Sequence, residues 1–233
     1  MAPLTHVLFD FFGTLVEYSD SLVDQGFDGS YEVLVSEGTH LSYSGFLEQW
    51  SLTFNELEAL SGTSLDEFTM DEVCERFLER ALPRCPDDGI VARFRDTYLD
   101  EWNKGVEYIP EVPSLLAELS ERYTLALVTN THSAELVEGH LRAIGATGYF
   151  ATVVHSVEHG KRKPSACIFE SAIERSAGQP ENAVFVGDSY LNDYQGALAA
   201  GLGGLLIDPE HRYEVPAQHR LGHVLDLREA LAI

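Results

Sequence analysis

The first apolar segment of the chain, with the turn that follows it, constrains the fold more than any other stretch. The run Val7–Phe9 ends at Asp10, and two aromatic residues, a glycine and a threonine follow at once. A short apolar run bounded by a turn signal is typical of a buried strand. Open α/β sheets bind ligands at the carboxyl ends of their strands, and an unpaired buried carboxylate is costly. Two interpretations are open: Asp10 caps the next turn, or it is a functional acid at that edge.

Strand-like and helix-like segments alternate from about residue 109 to the end of the chain. Repeated β-α units predict a parallel sheet with helices on both faces, and hence an α/β fold. The predicted strands are 124–128, 151–155, 183–186 and 205–207, with a last short one at 224–227, and the predicted helices are 112–122, 133–143, 165–176 and 192–200.

Residues from about 17 to 108 contain no convincing alternating strand, and their apolar residues recur at helical spacing instead. Pro83, Pro86 and Gly89 separate the last two helical segments. We therefore expect a small helical bundle inserted after the first strand, with its aromatic residues forming the core. The spaced residues are Phe46, Trp50, Phe54 and Leu57, then Val73, Phe77 and Ala81, then Ile90, Phe94, Tyr98 and Trp102.

Composition excludes several classes of protein. The hydrophobic content of 45% in 233 residues is enough for a packed core. No apolar run approaches the ~20 residues of a membrane span, and the N-terminus lacks the pattern of a secretory signal. Three cysteines, Cys74, Cys85 and Cys167, have no metal-type spacing. They are expected to be reduced packing residues, and the protein is expected to be cytoplasmic.

The formal net charge of −23 is extreme, and only three lysines occur: Lys104, Lys161 and Lys163. Such a chain is not expected to bind nucleic acid, whose phosphates need basic partners. The acids are spread along the chain rather than gathered in a disordered tail. This pattern favours adaptation to high salt, where screening weakens self-repulsion. The alternative is an ordinary acidic cytosolic protein.

Three later segments carry candidate functional residues. Thr129-Asn130 ends a predicted strand, although both residues are common in turns. Lys163 precedes Pro164 in a very acidic chain, although an isolated basic residue is usually solvated. Asp188 and Asp193 follow another apolar strand in Gly187-Asp188-Ser189-Tyr190-Leu191-Asn192-Asp193. In the structural interpretation of that segment, Asp188 or Asn192 caps a helix.

Together these segments resemble the four motifs of the haloacid dehalogenase-like hydrolases. Asp10, Gly13 and Thr14 match the first motif, usually Asp-x-Asp-Gly-Thr, and the three later segments match the others in order. The resemblance covers essentially the whole chain. It implies a Rossmann-like core, formed by residues 1–16 and 109–233 with the first strand central, and a helical cap domain at 17–108.

The resemblance also implies an activity and a site. It implies a Mg²⁺-dependent phosphatase of small phosphorylated metabolites that acts through an aspartyl-phosphate on Asp10. Thr129 and Asn130 would bind the substrate, and Lys163 would offset the charge of the nucleophile and the phosphate. Asp193 would hydrogen-bond the lysine or a metal-bound water. The metal ligands would be Asp10, the backbone carbonyl of Phe12, and Asp188, since hard cations prefer oxygen ligands.

Phe12 departs from the pattern, because most phosphatases of the family have an aspartate there that protonates the leaving oxygen. General acid–base help is typically worth ~10²–10⁴ in rate. A first hypothesis is a phosphatase whose acid comes from the cap, from water or from the substrate. Glu17 and Asp20 are near in sequence, but both are expected to be solvated surface residues.

A second hypothesis is a 2-haloacid dehalogenase, because that branch has an aromatic residue at this position and its halide leaves without a proton. Asp188 argues against it, since that branch needs no metal and usually has serine there. No arginine or lysine precedes Arg76 to hold a halide early in the cap. A phosphonate hydrolase would need a cap lysine, and only Lys104 is near. A third hypothesis is a catalytically weak binding protein on the same fold.

Overall fold

A computed structural model of the chain describes residues 3–18 and 26–232. The chain forms two compact units, one comprising Met1–Glu17 and Glu107–Ile233 and the other comprising Tyr18–Val106. The second unit lies within two residues of the predicted insertion at each end. Its role as a cap remains a prediction.

The first unit is built on a six-stranded parallel sheet. Its strands are β1 (His6–Phe9), β4 (Thr124–Thr129), β5 (Phe150–His155), β6 (Ala183–Gly187), β7 (Gly203–Ile207) and β8 (Arg220–Leu221), and their spatial order is β5-β4-β1-β6-β7-β8. β1 pairs with β4 on one side and β6 on the other, so it is central, and its four residues are all buried. The predicted α/β fold is confirmed.

Helices alternate with these strands, as the sequence predicts. Apolar residues at helical spacing face the sheet; in Val112–Ser120 they are Val112, Leu115, Leu116 and Leu119, all buried. The longer helices are Val112–Ser120, Ala134–Ala143 and Ala166–Arg175, and the short ones are Ser156–His159, Gly196–Ala199 and Leu227–Ala230. A π-helix spans Tyr190–Gln195. Short 3-10 turns span Pro180–Asn182, Ala217–His219 and Val224–Asp226.

The predicted strand at 224–227 is wrong. Val224–Asp226 is a 3-10 turn that runs into the helix Leu227–Ala230, and the last strand is Arg220–Leu221. Asp226 Oδ2 accepts hydrogen bonds from the amides of Gly222 (2.8 Å) and His223 (2.9 Å), which bends the chain at this point. A side-chain cap therefore outweighs the apolar pattern that favoured a strand.

The helix predicted at 192–200 also begins differently. The π-helix starts at Tyr190, and the helix Gly196–Ala199 continues it. Neither Asp188 nor Asn192 is the N-cap; Ser189 is, because its hydroxyl accepts from the Asn192 amide at 3.2 Å. This assignment leaves both acids of the segment available for other contacts.

The described residues of the second unit form four helices: Asp28–Ser36, Tyr43–Ser64, Met70–Ala81 and Asp88–Trp102. The last three carry the predicted apolar residues, and Phe46, Trp50, Phe77 and Phe94 are fully or almost fully buried. Trp50 Nε1 donates to Tyr98 Oη at 2.9 Å inside this core. The aromatic residues thus form a structural core, as the sequence predicts.

Three elements of this region were not predicted. Two three-residue strands, β2 (Val16–Tyr18) and β3 (Val106–Tyr108), form a two-stranded sheet and are too short to show alternation. The helix Asp28–Ser36 has no side-chain N-cap of its own. Its first amides are instead satisfied by Glu101, whose carboxylate accepts from Gly29 N (2.7 Å) and Ser30 N (2.9 Å).

The three cysteines are free thiols, of which Cys74 is buried and Cys85 exposed. Among the described residues, no helix combines the length and apolar character that crossing a bilayer requires.

Candidate active site

The carboxyl ends of the three central strands bring the predicted residues to one edge of the sheet. Asp10 follows β1, Thr129 ends the neighbouring β4, and Asp188 follows β6 on the other side. The Asp10 amide donates to Val186 O at 2.9 Å, so it extends the pairing of β1 with β6. The backbone of the nucleophile candidate is therefore fixed by the sheet itself.

Lys163 bridges two of the acids. Its Nζ donates to Asp10 Oδ1 at 2.7 Å and to Asp193 Oδ1 at 2.6 Å, and it lies 5.0 Å from the centroid of the Phe185 ring. The residue is only 2% exposed. Burial alone would lower the pKa of Lys163, but the charges of Asp10 and Asp193 outweigh it, so the net effect raises the pKa. Lys163 is therefore a charged group next to Asp10.

Asp193 is almost completely buried, and hydrogen bonds engage both of its carboxylate oxygens. Oδ1 accepts from Lys163, and Oδ2 accepts from the Ser189 amide at 2.8 Å. A Cβ at Gly187 would lie 2.4 Å from its carboxyl carbon, so only glycine leaves room for it. Burial raises the pKa of Asp193 to about 6, although Lys163 opposes this effect. Asp193 is placed to hold the lysine.

Asp188 lies against the turn that follows Asp10. Gly13 has φ +78°, and a Cβ there would come within 2.5 Å of Asp188 Oδ2. This glycine is required both by its backbone angle and by the closeness of the carboxylate. Burial and then the charges of Asp10 and Asp193 raise the pKa of Asp188 to about 7, while Lys163 lowers it.

The acid cluster fits a hard divalent cation. Ligand oxygens of Asp10, Asp188 and Asp193 all lie within 4.8 Å of one another. Three carboxylates against the single ammonium of Lys163 leave excess negative charge, which adds to the effect of burial in raising the pKa of Asp188. Oxygen ligands and surplus negative charge are what Mg²⁺ prefers. The contribution of the Phe12 carbonyl remains a prediction.

Asn130 and Thr129 occupy the end of β4. The Asn130 side chain accepts from Lys163 N at 2.8 Å and donates to Lys163 O at 3.1 Å. Thr129 is buried, and its hydroxyl makes only a long contact of 3.5 Å to the Asn130 carbonyl. The hydroxyl is thus free to bind a ligand, whereas both ends of the Asn130 amide are engaged with the loop that carries Lys163.

Phe12 packs among rings. Its ring lies edge-on to two others, and the ring centroids are 5.0 Å apart for Phe11 and 6.0 Å apart for His140. His140 Nδ1 is 2.9 Å from the hydroxyl of Tyr108, and burial lowers the pKa of this histidine. Glu17 is mostly exposed and lies 3.9 Å from His223. Asp20, the other acid near this turn, lies outside the described residues.

Three contributions to this site were not predicted from the sequence. They are the two hydrogen bonds between the Asn130 side chain and the main chain of Lys163, the absence of a side chain at Gly187 beside Asp193, and the Phe185 ring beside Lys163. Gly187 immediately precedes Asp188 at the end of a strand, and that position is a signal of close backbone approach. The other two contacts join segments far apart in the chain, so no local pattern indicates them.

Comparison with known proteins confirms the family that the sequence motifs indicate. The family model described as haloacid dehalogenase-like hydrolase matches residues 7–207. A ribulose-1,5-bisphosphate 5-phosphatase of Halopiger xanaduensis is 27% identical over 210 residues, covering 88% of this chain and 85% of that protein. A phosphoserine phosphatase of Thermus thermophilus is 36% identical over 121 residues, which cover 52% of this chain and 48% of that protein.

A solved structure of a 2-haloacid dehalogenase from Pseudomonas syringae has the same fold. The TM-score is 0.72 at 22% identity, and the match covers 98% of both chains. Because the family model spans most of the sequence and includes the segments of Asp10, Lys163 and Asp188, the chain belongs to the haloacid dehalogenase-like hydrolases.

Proposed function

We propose that this hydrolase is a Mg²⁺-dependent phosphatase of small phosphorylated metabolites. The observation that carries the proposal is the placement of Lys163 between Asp10 and Asp193, with Asp188 beside them. Phosphoryl transfer needs positive charge around the oxygens of the transferring group, and Lys163 places such a charge beside Asp10. The phosphatase names of relatives that match along most or about half of the chain support the same reaction class.

Asp10 and Asp188 would hold the cation, together with the predicted Phe12 carbonyl. Asp193 is less available, because both of its oxygens are hydrogen-bonded. When bound, Mg²⁺ would supply charge that stabilises the phosphoryl oxygens.

In the proposed reaction, the Asp10 carboxylate attacks phosphorus in line with the leaving oxygen. A bond from Asp10 to phosphorus forms as the bond to the leaving oxygen breaks, and water then hydrolyses the aspartyl-phosphate. Lys163 orients the Asp10 carboxylate through the 2.7 Å contact and places a positive charge beside it. Thr129 contributes a buried hydroxyl that is free to donate to the phosphoryl group.

The proton for the leaving oxygen does not come from residue 12, since that residue is phenylalanine. Water, the substrate or the helical unit would supply it. The helical unit is proposed to act as a cap that excludes water during the reaction. A structure with bound vanadate tests this role: a helical unit far from Asp10 in both the free and the liganded states contradicts it.

The reaction is tested by a screen of phosphorylated metabolites for phosphate release. The assays contain either EDTA or Mg²⁺, each at low and high KCl. Activity should be lost in EDTA and restored by Mg²⁺, and Asp10→Asn should be inactive under all conditions. Full activity in verified metal-free protein would contradict the metal requirement.

The aromatic residue at position 12 favours one other reaction, that of a 2-haloacid dehalogenase. Chloride release from 2-chloropropionate, measured beside the phosphate screen, separates the two reactions. Chloride release without phosphate release would replace the phosphatase proposal. An alkyl phosphate must accompany any aryl phosphate, because a good leaving group would mask a missing acid.

A further inference from the structure

One histidine and three glutamates, residue types that can bind metal ions, lie together outside the active site at the β5 edge of the sheet. A cavity of about 750 Å³ there is lined by side chains that include Glu135, Glu138, His155 and Glu158. We propose that this cavity binds a divalent transition-metal ion, with His155 and Glu138 as its first ligands. The proposal is independent of the phosphatase reaction.

His155 is the central residue of the proposed site, because one of its ring nitrogens is hydrogen-bonded and the other is not. The residue is 4% exposed. Its Nδ1 lies 2.9 Å from Glu158 Oε2, and since a carboxylate only accepts, Nδ1 must be the donor. In the neutral ring Nε2 then bears a lone pair, and this buried atom has no hydrogen-bond partner among the described residues. Metal-ligating histidines usually show this arrangement, with the other ring N–H donated to a carboxylate.

The free nitrogen faces a second electron-pair donor. His155 Nε2 and Glu138 Oε1 are 3.7 Å apart, which is too far for a hydrogen bond and forms an ion pair only when the ring is protonated. Bonds from zinc to nitrogen and to oxygen are each about 2.0–2.2 Å long. Two such bonds together exceed 3.7 Å, so one ion can contact both atoms in a bent arrangement without any movement of the backbone.

Glu135 can complete the site. It lies three residues before Glu138 on the helix Ala134–Ala143, and residues at this spacing share a face. It is exposed and lines the same cavity. Its carboxylate has to rotate toward His155, because the only trio of ligand atoms already within 4.8 Å among the described residues is that of the active site.

The donor set predicts which ion binds. An imidazole nitrogen with carboxylates suits Zn²⁺ or Co²⁺, whereas Mg²⁺ prefers oxygen ligands alone. The active-site acids and this site are therefore expected to bind different metal ions. Arg142 and Arg175 also line the cavity and offset part of its negative charge. The affinity should consequently be lower than that of a closed structural zinc site.

The test is a titration of the full-length protein with Zn²⁺ by calorimetry, and with Co²⁺ by visible absorption, in excess Mg²⁺. We expect one equivalent of Zn²⁺ to bind, both in the wild type and in Asp188→Asn, which disables the active-site cluster. Glu138→Gln and His155→Gln should each weaken binding at least tenfold and alter the Co²⁺ spectrum. Glu158→Gln should weaken it by about 10–100-fold, the usual effect of losing an outer carboxylate.

Two exposed residues provide matched controls, His40→Gln and Glu170→Gln, because neither lines the cavity. Both should bind Zn²⁺ as the wild type does. Glu138 is half-exposed, so Glu138→Gln should fold even where the buried His155 cannot be replaced, and it then decides the question alone. The proposal is overturned if Glu138→Gln binds Zn²⁺ within twofold of wild type, if binding disappears in Asp188→Asn, or if no equivalent binds.

Discussion

The side chain of Asn130 is hydrogen-bonded to the main chain of Lys163 at two points, 2.8 Å at the amide and 3.1 Å at the carbonyl. The Lys163 ammonium in turn contacts Asp10. In the proposed reaction, Asn130 would thus act through another residue. It would be a positioning residue for the lysine, and its binding of the substrate stays a prediction.

Replacing Asn130 with alanine should lower kcat by about 10²-fold, since a misplacement of about 1 Å can cost this much in rate. Asn130→Asp keeps the acceptor for Lys163 N but sets a carboxylate oxygen against the carbonyl oxygen of Lys163, so the two acceptors repel and this variant should be at least as impaired as the alanine variant. Steady-state kinetics on the best substrate of the phosphate screen measure the effect. A higher KM with unchanged kcat would instead indicate direct substrate binding.

Asp10→Asn should lose nearly all turnover while the protein stays folded. The amide keeps the shape of the side chain but lacks the charged oxygen that attacks phosphorus. Turnover is measured by phosphate release and folding by circular dichroism. Mass spectrometry of acid-quenched wild type should locate the phosphoryl group on Asp10. An adduct trapped on another residue would show that the nucleophile is misassigned.

Asp188 should make the metal-free protein less stable as the pH rises. Its pKa is about 7 in the folded state, against about 4 for an aspartate in an unfolded chain. Between these values the folded state holds a proton that the unfolded state has released, so stability falls as the pH rises from about 4 to 7. Asp188→Asn cannot titrate, so its Tm should fall less across this window. Thermal unfolding in EDTA at fixed KCl measures both proteins, and parallel curves would contradict the prediction.

Raising KCl from millimolar to molar should increase the Tm. The net charge of −23 destabilises the compact state through self-repulsion, and salt screens it. A neutral osmolyte at matched osmolality is the control, since it adds no screening. Unfolding at high KCl would instead favour the ordinary acidic protein.

Local patterns were sufficient to predict five of the six strands of the sheet and the positions of the acids. Those five strands are apolar runs bounded by turn residues, and Asp10 and Asp188 follow the ends of two of them, whereas Arg220–Leu221 is not such a run and was not predicted. Parallel strands bring their carboxyl ends to one edge, which agrees with the single metal site that the resemblance implies for these acids. Lys163 could be distinguished from Lys161 only by the resemblance, because spacing alone does not decide between them.

What escaped prediction depends on contacts between distant segments. Glu101 satisfies the first amides of the helix Asp28–Ser36 from 71 and 72 residues away, so that helix has no local start signal. Asn130 reaches Lys163 across 33 residues. The mistaken strand at 224–227 has a different cause, since a local cap by Asp226 outweighed apolar residues that fit either element.

The last prediction concerns Phe12, where restoring a carboxyl tests whether the acid is missing. Phe12→Asp also removes ring contacts with Phe11 and His140. Phe12→Asn loses the same contacts and has nearly the same shape, but it cannot donate an acidic proton. The ratio of kcat/KM between the Asp and Asn variants therefore isolates the carboxyl group from the loss of packing.

This ratio should exceed one for alkyl phosphates and stay near one for aryl phosphates, because an aryl oxide leaves with less need of a proton. The largest possible gain in rate is the ~10²–10⁴-fold that general acid–base catalysis supplies. Imperfect geometry of the new carboxyl group should keep the gain well below this value. If water, substrate or the helical unit already supplies the proton, the added charge beside Asp10 should leave the rate unchanged or lower it. An equal change in both substrate classes would mean that Phe12 does not stand in the place of a missing acid.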